Sequence, residues 1–231
     1  MKHISFLLLI CSFPLFAQAQ FVGCAEQSNL QPAAWKASFP EDYQGSYAFG
    51  CSEEESTLRL MVSGATVVAQ VKRIELRGER FIWSYQNLSN VFIDGNRFVS
   101  DEATGTFVRF QFEGEKRLGL KIDRPWSSLP EAGMYEIGSY RAEIYLSGKY
   151  PEASTGLLAE EALADVTRAE LQLMRNEIFA RYGYSFRKGG KMDTYFQQTD
   201  WYKAQHADVN LFLTPIERRN ISLIRSLEAE R

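Results

Sequence analysis

The sequence predicts an α+β protein in which an N-terminal antiparallel β meander precedes a small all-helical unit. Apolar residues recur with period two from about residue 43 to residue 150, and with helical spacing after that. Short β-type runs between glycine-containing turns favour a sandwich or small barrel of about six to eight strands. The 231 residues give room for both parts, and 45% hydrophobic and 24% charged residues are typical of a globular chain.

The N-terminus predicts a secretory signal peptide at residues 1–19. A basic start precedes an apolar run at residues 4–16, and Ala17 and Ala19 form a small-residue cleavage site. The apolar run is shorter than the roughly 20 residues that a membrane-spanning helix needs, and no later segment reaches that length. We therefore expect an exported protein, periplasmic or extracellular, without a transmembrane segment.

Two cysteines, Cys24 and Cys51, would remain after the signal peptide is removed. Export favours oxidation, so we expect a disulfide between them; closing a loop of about 28 residues would contribute about 3 kcal/mol. Two free thiols are one alternative, and a lipid anchor on Cys24 is another, because residues 21–24 loosely resemble a lipobox. With His206 as the one remaining histidine, in a segment expected to be an exposed loop, the sequence predicts no metal site and no cofactor.

The β half is expected to span residues 20–150. From residue 106 to residue 112, Val108, Phe110 and Phe112 alternate with polar or opposite-facing side chains, as in a strand with one buried face. The many aromatic residues of this half are expected to fill its core. The alternative is that they line a cavity for a small apolar ligand.

The helical unit is expected to span residues 151–231, after an exposed linker near residues 149–155. Thr167 to Glu170 and Thr214 to Glu217 are capping boxes, which mark the starts of two helices. Gly183 is placed to end the first of them. The sequence thus predicts a separate helical domain.

Arg175 and Asn220 fall within the apolar stripes of these two helices. Polar side chains that face a small core are costly unless paired, so we expect them to contact each other, backbone carbonyls or a carboxylate. The alternative is an anion or sugar site around Arg175 and Arg181. The favoured hypothesis is a structural polar network made of Arg175, Asn176, Glu177, Arg181, Glu217 and Asn220.

Trp201 and Tyr202 belong to a dense group of aromatic residues in the helical unit. We expect most of this group to fill a core that has few aliphatic residues. Trp201 and Tyr202 are also the candidates for stacking on a ligand.

Residues 175–183, with the sequence Arg-Asn-Glu-Ile-Phe-Ala-Arg-Tyr-Gly, resemble the signature of the YARHG domain family. Further markers between Trp201 and Asn220 extend the resemblance over about residues 157–229. Phe179 and Tyr182 replace the tyrosine and histidine of the family's Tyr-Ala-Arg-His-Gly motif, which weakens any case for acid–base or metal chemistry there. The family occurs in exported bacterial proteins and has no established activity, so the resemblance implies a bacterial envelope setting.

The function expected from these features is that of a non-enzymatic binding or scaffold protein of the bacterial envelope. With 26 basic and 29 acidic residues, the net charge of −3 argues against nucleic-acid binding. Peptidoglycan or another envelope component is the expected partner. The alternatives are a carrier of a small apolar ligand and a glycan hydrolase that uses two carboxylates. No spacing singles out a catalytic pair among the candidate acids, which are Glu53, Glu54, Glu55, Asp94 and Asp101.

Overall fold

A computed structural model of the protein describes residues 21–22, 25–26, 30–50, 56–124, 126 and 136–231. The predicted signal peptide, Cys24, Cys51 and the acidic residues 53–55 lie outside these ranges. The Cys24–Cys51 disulfide and the cleavage of the signal peptide therefore stay predictions.

The N-terminal part is a single sheet of mostly antiparallel strands. Nine strands follow one hydrogen-bonded path in the order β7-β6-β5-β4-β12-β11-β10-β9-β8. Away from this path, β3 pairs with β10, and β1 pairs with β2 and runs parallel to β12. The strands are β1 (Phe21–Val22), β2 (Ala25–Glu26), β3 (Ala33–Ala34), β4 (Gly45–Phe49), β5 (Ser56–Ser63), β6 (Thr66–Arg77), β7 (Arg80–Asn87), β8 (Phe92–Asp94), β9 (Arg97–Val99), β10 (Thr104–Phe112), β11 (Glu115–Ile122) and β12 (Glu136–Arg141).

The antiparallel sheet and the α+β class are confirmed, but the predicted closure and strand number are wrong. The sheet is open: within the described part of the chain, β7 and β8 are the two ends of the path and do not pair with each other. One continuous path also replaces the two sheets of a sandwich. The strand number is underestimated because strands of two or three residues, such as β8, are too short to show an alternating pattern.

The open sheet curls around an aromatic core. Phe98 on β9 and Val71 on β6 lie near opposite ends of the path, yet both are buried in one cluster. In the same cluster the rings of Tyr43 and Phe107 stack with their centroids 3.9 Å apart. The largest buried side chains of this core are aromatic, in agreement with the favoured hypothesis, although Phe39, Phe81 and Phe92 are exposed.

Four helices follow: α1 (Glu152–Thr155), α2 (Arg168–Arg181), α3 (Lys191–Phe196) and α4 (Pro215–Glu230). Both predicted capping boxes are present. The Thr167 hydroxyl accepts from the Glu170 amide at 3.3 Å, and the Thr214 hydroxyl accepts from the Glu217 amide at 3.1 Å. These local signals were sufficient to place the starts of the two long helices.

The stretch predicted as an exposed linker is packed into the structure. Ala153 and Ser154 are buried, and the amides of Lys149 and Tyr150 donate to the Glu177 carboxylate at 2.8 and 2.7 Å. A proline is also common at the start of a helix, and here Pro151 is the residue immediately before α1. The boundary between residues 150 and 151 stays a prediction, but an exposed linker is not found there.

The two halves of the chain pack on each other through one face of β5, β6 and β7. Because side chains alternate along a strand, Leu60 and Ala69 face the β core, whereas Met61 and Val68 pack against Ile216 of α4. The strand pattern thus provides two apolar faces, one for each half.

Candidate functional site

A buried ion pair on α2 organises the region before and within α1. The side chains of Glu177 and Arg181, one helical turn apart, are 1% and 5% exposed and contact each other directly. Nε of Arg181 donates to the carbonyl of Ser147 at 2.7 Å, and Nη1 donates to the Ser154 hydroxyl at 3.0 Å. Burial lowers the pKa of Arg181, and the negative charge of Glu177 opposes this effect. The pair therefore fastens residues 147–154 to α2.

Gly148 lies inside this fastened segment. Its φ is +109°, which residues other than glycine rarely adopt. A Cβ at this position would overlap the Glu177 carboxylate. A glycine is therefore required where the backbone passes closest to the ion pair.

A second buried cluster joins the helical unit to the sheet. The hydroxyl of Tyr182 donates to Oε2 of Glu217 at 2.7 Å and accepts from Nε2 of Gln70 at 3.1 Å. Burial raises the pKa of the Glu217 carboxyl group, although the amide of Thr214 and the hydroxyl of Tyr182 both donate to it. The two clusters are adjacent, because Arg181 and Tyr182 are consecutive residues at the C-terminal end of α2.

The structure thus brings together three of the six residues predicted for a polar network: Glu177, Arg181 and Glu217. Arg175 instead forms a two-bond ion pair with Glu228 of α4, with distances of 2.8 and 3.0 Å. Asn220 does not join them either, because its side chain bonds to the backbone of residues 153–158.

Asn176 and Asn220 satisfy their amide groups locally. Nδ2 of Asn176 donates to the Gln172 carbonyl on its own helix at 2.7 Å. Asn220 donates to the carbonyls of Ala153 and Gly156 at 2.9 and 2.8 Å, and it accepts from the amide of Leu158 at 2.9 Å. Asn220 thus contacts backbone carbonyls and Arg175 a carboxylate, which are two of the three kinds of partner expected for them, but the two residues do not contact each other.

Gln70 and Asn87 are interface residues that the sequence interpretation missed. Nε2 of Gln70 donates to the Phe212 carbonyl at 2.7 Å, and Nδ2 of Asn87 donates to the Leu213 carbonyl at 3.0 Å. The sequence does contain a signal for Gln70, which is an amide side chain within the valine-rich run of β6, where the structure buries it. Such a residue needs a hydrogen-bonding partner from elsewhere in the fold.

The edge strand β7 is covered at Trp83 by the loop before α4. The amide of Trp83 donates to Oε1 of Gln205 at 3.2 Å, and Nε2 of His206 donates to the carbonyl of Trp83 at 2.8 Å. The expectation that His206 lies in an exposed loop is wrong, because its ring is buried at this contact and packs against Phe212. This histidine has a structural role in joining the two halves.

A cleft of about 480 Å³, here called the junction cleft, lies where the sheet meets the helical unit. Its sheet wall includes Arg59, Lys72 and Trp83, and the Lys72 ammonium lies 3.3 Å from the centroid of the Trp83 ring. Its helical wall includes residues 180–183, the end of α2 and the glycine after it. Tyr145, which is 81% exposed, also lines the cleft.

The two aromatic residues proposed for ligand contact are in different environments. Trp201 is partly exposed and lines the junction cleft. Tyr202 is buried against Phe196, and its hydroxyl donates to the Tyr184 carbonyl at 2.7 Å. Trp201 is therefore available to a ligand, whereas Tyr202 belongs to the core of the helical unit.

The described part of the chain offers little for other chemistry. It contains no group of three or more histidine, cysteine or acidic side chains arranged to hold a metal ion. Of the candidate acids within it, Asp94 and Asp101 are both exposed, and Asp101 accepts from Nδ2 of Asn90 at 2.7 Å. None of the helices in the described ranges is long and apolar enough to span a membrane.

Residues 148–229 match the family model of the YARHG domain, which confirms the resemblance seen in the sequence. This domain is generally found in exported proteins, and its function is not known. Neither a curated protein nor a solved structure matches the chain. The domain accounts for the C-terminal third of the chain, including the helical wall of the junction cleft.

Proposed function

We propose that this chain, whose C-terminal third is a YARHG domain, is an exported, non-enzymatic binding protein of the bacterial envelope. It loses residues 1–19 on export, forms the Cys24–Cys51 disulfide and works in the periplasm or outside the cell. Its ligand site is the junction cleft, and peptidoglycan is the first envelope component to test.

The observation that carries this proposal is where the YARHG motif lies. Residues 180–183, which correspond to the last four positions of the motif, line the junction cleft opposite the sheet. Arg181 and Tyr182 are also held rigidly by buried hydrogen bonds to Ser154 and Glu217. A concave site with fixed walls suits a binding role, because little order has to be created when a ligand arrives.

The structure favours this function over the two alternatives. An apolar carrier would need an apolar cavity in the β half. The β core is filled by side chains such as Tyr43 and Phe107, which stack on each other, and the cleft of about 630 Å³ on the β half is lined by charged residues that include Lys36, Arg109, Lys116 and Arg117. A glycan hydrolase would need two carboxylates about 5–10 Å apart, and Asp200 is the single carboxylate among the described residues that line the cleft. Binding requires neither feature.

The test is retention of the mature protein by purified peptidoglycan. We expect the Arg59→Gln/Lys203→Gln variant to be retained at least tenfold less than the wild type, since both side chains line the cleft. The matched control is Lys188→Gln/Lys191→Gln, which removes the same charge from exposed positions elsewhere on the domain. Equal retention of the wild type and the cleft variant would contradict the assignment of the cleft, and no retention of either would contradict peptidoglycan as the component.

A further inference from the structure

We infer that the junction cleft takes an anionic saccharide, that is, a sugar chain whose rings carry carboxylate groups. This inference rests on the proposed function and adds the chemical class of the ligand. The arrangement that points to it is a set of basic and aromatic side chains that line one cleft.

The charges of the cleft favour an anion. Among the described residues that line it, Arg59 and Lys203 are basic and Asp200 is the one acidic residue. Arg181 also lines the cleft, but it is paired with Glu177, so its charge is largely offset. The cleft is thus locally positive on a chain whose formal net charge is −3. A concave site with one sign of charge attracts ligands of the opposite sign, and ammonium and guanidinium groups bind carboxylates through charge-assisted hydrogen bonds.

The aromatic side chains favour a ring-shaped ligand. Tyr145 is 81% exposed, although large aromatic side chains are usually buried on one face at least. Trp201 is partly exposed on the helical side of the same cleft. A pyranose ring presents an apolar C–H face to such side chains and its polar groups to the surrounding cations. A small inorganic anion would leave this aromatic surface unused.

Hydrogen bonds hold the segment that carries Tyr145 in place before any ligand binds. Tyr145 lies two residues before Ser147, whose carbonyl is bonded to Arg181, and the amides of Lys149 and Tyr150 are held by Glu177. The volume of about 480 Å³ falls within the range of about 300–1,000 Å³ that is typical of small-ligand sites. A short segment of a sugar chain could therefore bind without rebuilding either wall.

The experiment compares three probes by isothermal titration calorimetry on the full mature protein. Tetragalacturonate carries a carboxylate on every ring, chitotetraose has the same number of rings without that charge, and citrate has carboxylates without a ring. We expect tetragalacturonate to bind at least tenfold more tightly than either of the other two. Equal affinity for chitotetraose or for citrate would overturn the inference.

Two variants connect binding to the cleft. Tyr145→Ala and Lys203→Gln should each weaken tetragalacturonate binding by about tenfold and leave the unfolding midpoint unchanged, since both side chains are exposed. The controls are Phe39→Ala, an exposed aromatic residue that does not line the cleft, and Lys188→Gln. Unchanged binding by both cleft variants would overturn the inference.

The same measurements separate this inference from the proposed function. If none of the three probes binds but peptidoglycan still retains the protein through Arg59 and Lys203, the ligand class is wrong and the proposed function stands. If the probes bind at the cleft but peptidoglycan does not retain the protein, the ligand class stands and the envelope component is a different one.

Discussion

At the scale of single residues, Arg181 joins three parts of the chain. Its guanidinium contacts Glu177 on the same helix, the carbonyl of Ser147 and the hydroxyl of Ser154. A buried carboxylate that loses its partner is strongly destabilising, whereas a partly exposed ion pair is worth much less. The position of an arginine relative to solvent therefore decides its contribution to stability.

We predict that Arg181→Met lowers the free energy of unfolding by about 3–5 kcal/mol, because it leaves Glu177 charged and buried. Arg175→Met should cost only about 1–2 kcal/mol, because the Arg175–Glu228 pair is 17% exposed on both sides. Urea unfolding of the full chain, followed by tryptophan fluorescence, measures both values. A loss from Arg175→Met as large as that from Arg181→Met would contradict this ranking.

Glu217 should make stability depend on pH. Burial raises its pKa above the ordinary value of 4.5, so the folded protein binds a proton more readily than the unfolded chain. Stability from this residue therefore increases as the pH falls through the folded pKa toward 4.5. We predict that the wild type gains stability relative to Glu217→Gln between pH 8 and pH 5, measured by urea unfolding. A difference in stability between the wild type and Glu217→Gln that stays constant over this range would contradict the prediction.

The sequence predicted the positions of individual polar residues on their helices better than it predicted their hydrogen-bond partners. Helical spacing placed Arg175 and Asn220 on the correct faces, because spacing depends only on neighbours along the chain. It could not identify Glu228 or the backbone of residues 153–158 as their partners, because those contacts depend on the path of the chain between helices. Gln70 was overlooked for the same reason, since Tyr182 lies 112 residues away in sequence.

At the scale of elements, the segment before α1 is held by α2 rather than free. Gly148 has a positive φ and lies against the Glu177 carboxylate, so both its backbone and its lack of a side chain are needed. Gly189 also has a positive φ, of +71°, but a Cβ there would have nothing within 4 Å. A substitution at Gly189 therefore measures the cost of backbone strain alone, whereas one at Gly148 measures that cost together with the cost of a steric clash.

We predict that Gly148→Ala lowers the free energy of unfolding by more than about 2 kcal/mol, because a clash with a buried carboxylate adds to the backbone strain. Gly189→Ala should cost about 1 kcal/mol from the backbone alone. Thermal unfolding of the two variants and the wild type makes the comparison. Similar losses for both would show that the approach of Glu177 to Gly148 is not tight.

Helices and strands could be predicted from the sequence where their signals lie within a few consecutive residues. The capping boxes at Thr167 and Thr214 marked the starts of the two long helices correctly, because a cap involves only four consecutive residues. The open sheet was not predicted, because its end strands β7 and β8 are identified by pairing between distant segments. Closure of a sheet is a property of all its strands together.

At the scale of the whole molecule, the YARHG domain and the sheet share buried contacts. Tyr85 of β7 packs in the core of the helical unit, and its ring meets that of Tyr182 edge to face, with the centroids 4.7 Å apart. The change of periodicity near residue 150 indicated two parts but carried no information on how they meet. The junction cleft lies between these two parts, so the binding role proposed for it requires a fixed contact between them.

The central claim is that Tyr182, at the histidine position of the motif, holds the YARHG domain on the sheet through its hydrogen bond with Gln70. A double-mutant cycle of Gln70→Ala and Tyr182→Phe in the full mature chain, measured by urea unfolding, tests it most directly. A neutral control cycle pairs Gln70→Ala with Arg109→Ala on β10, which should be additive within about 0.5 kcal/mol. We predict a coupling energy of about 1–2 kcal/mol between Gln70 and Tyr182, because each is the other's buried hydrogen-bond partner. Additivity within the error of the control cycle would contradict the claim.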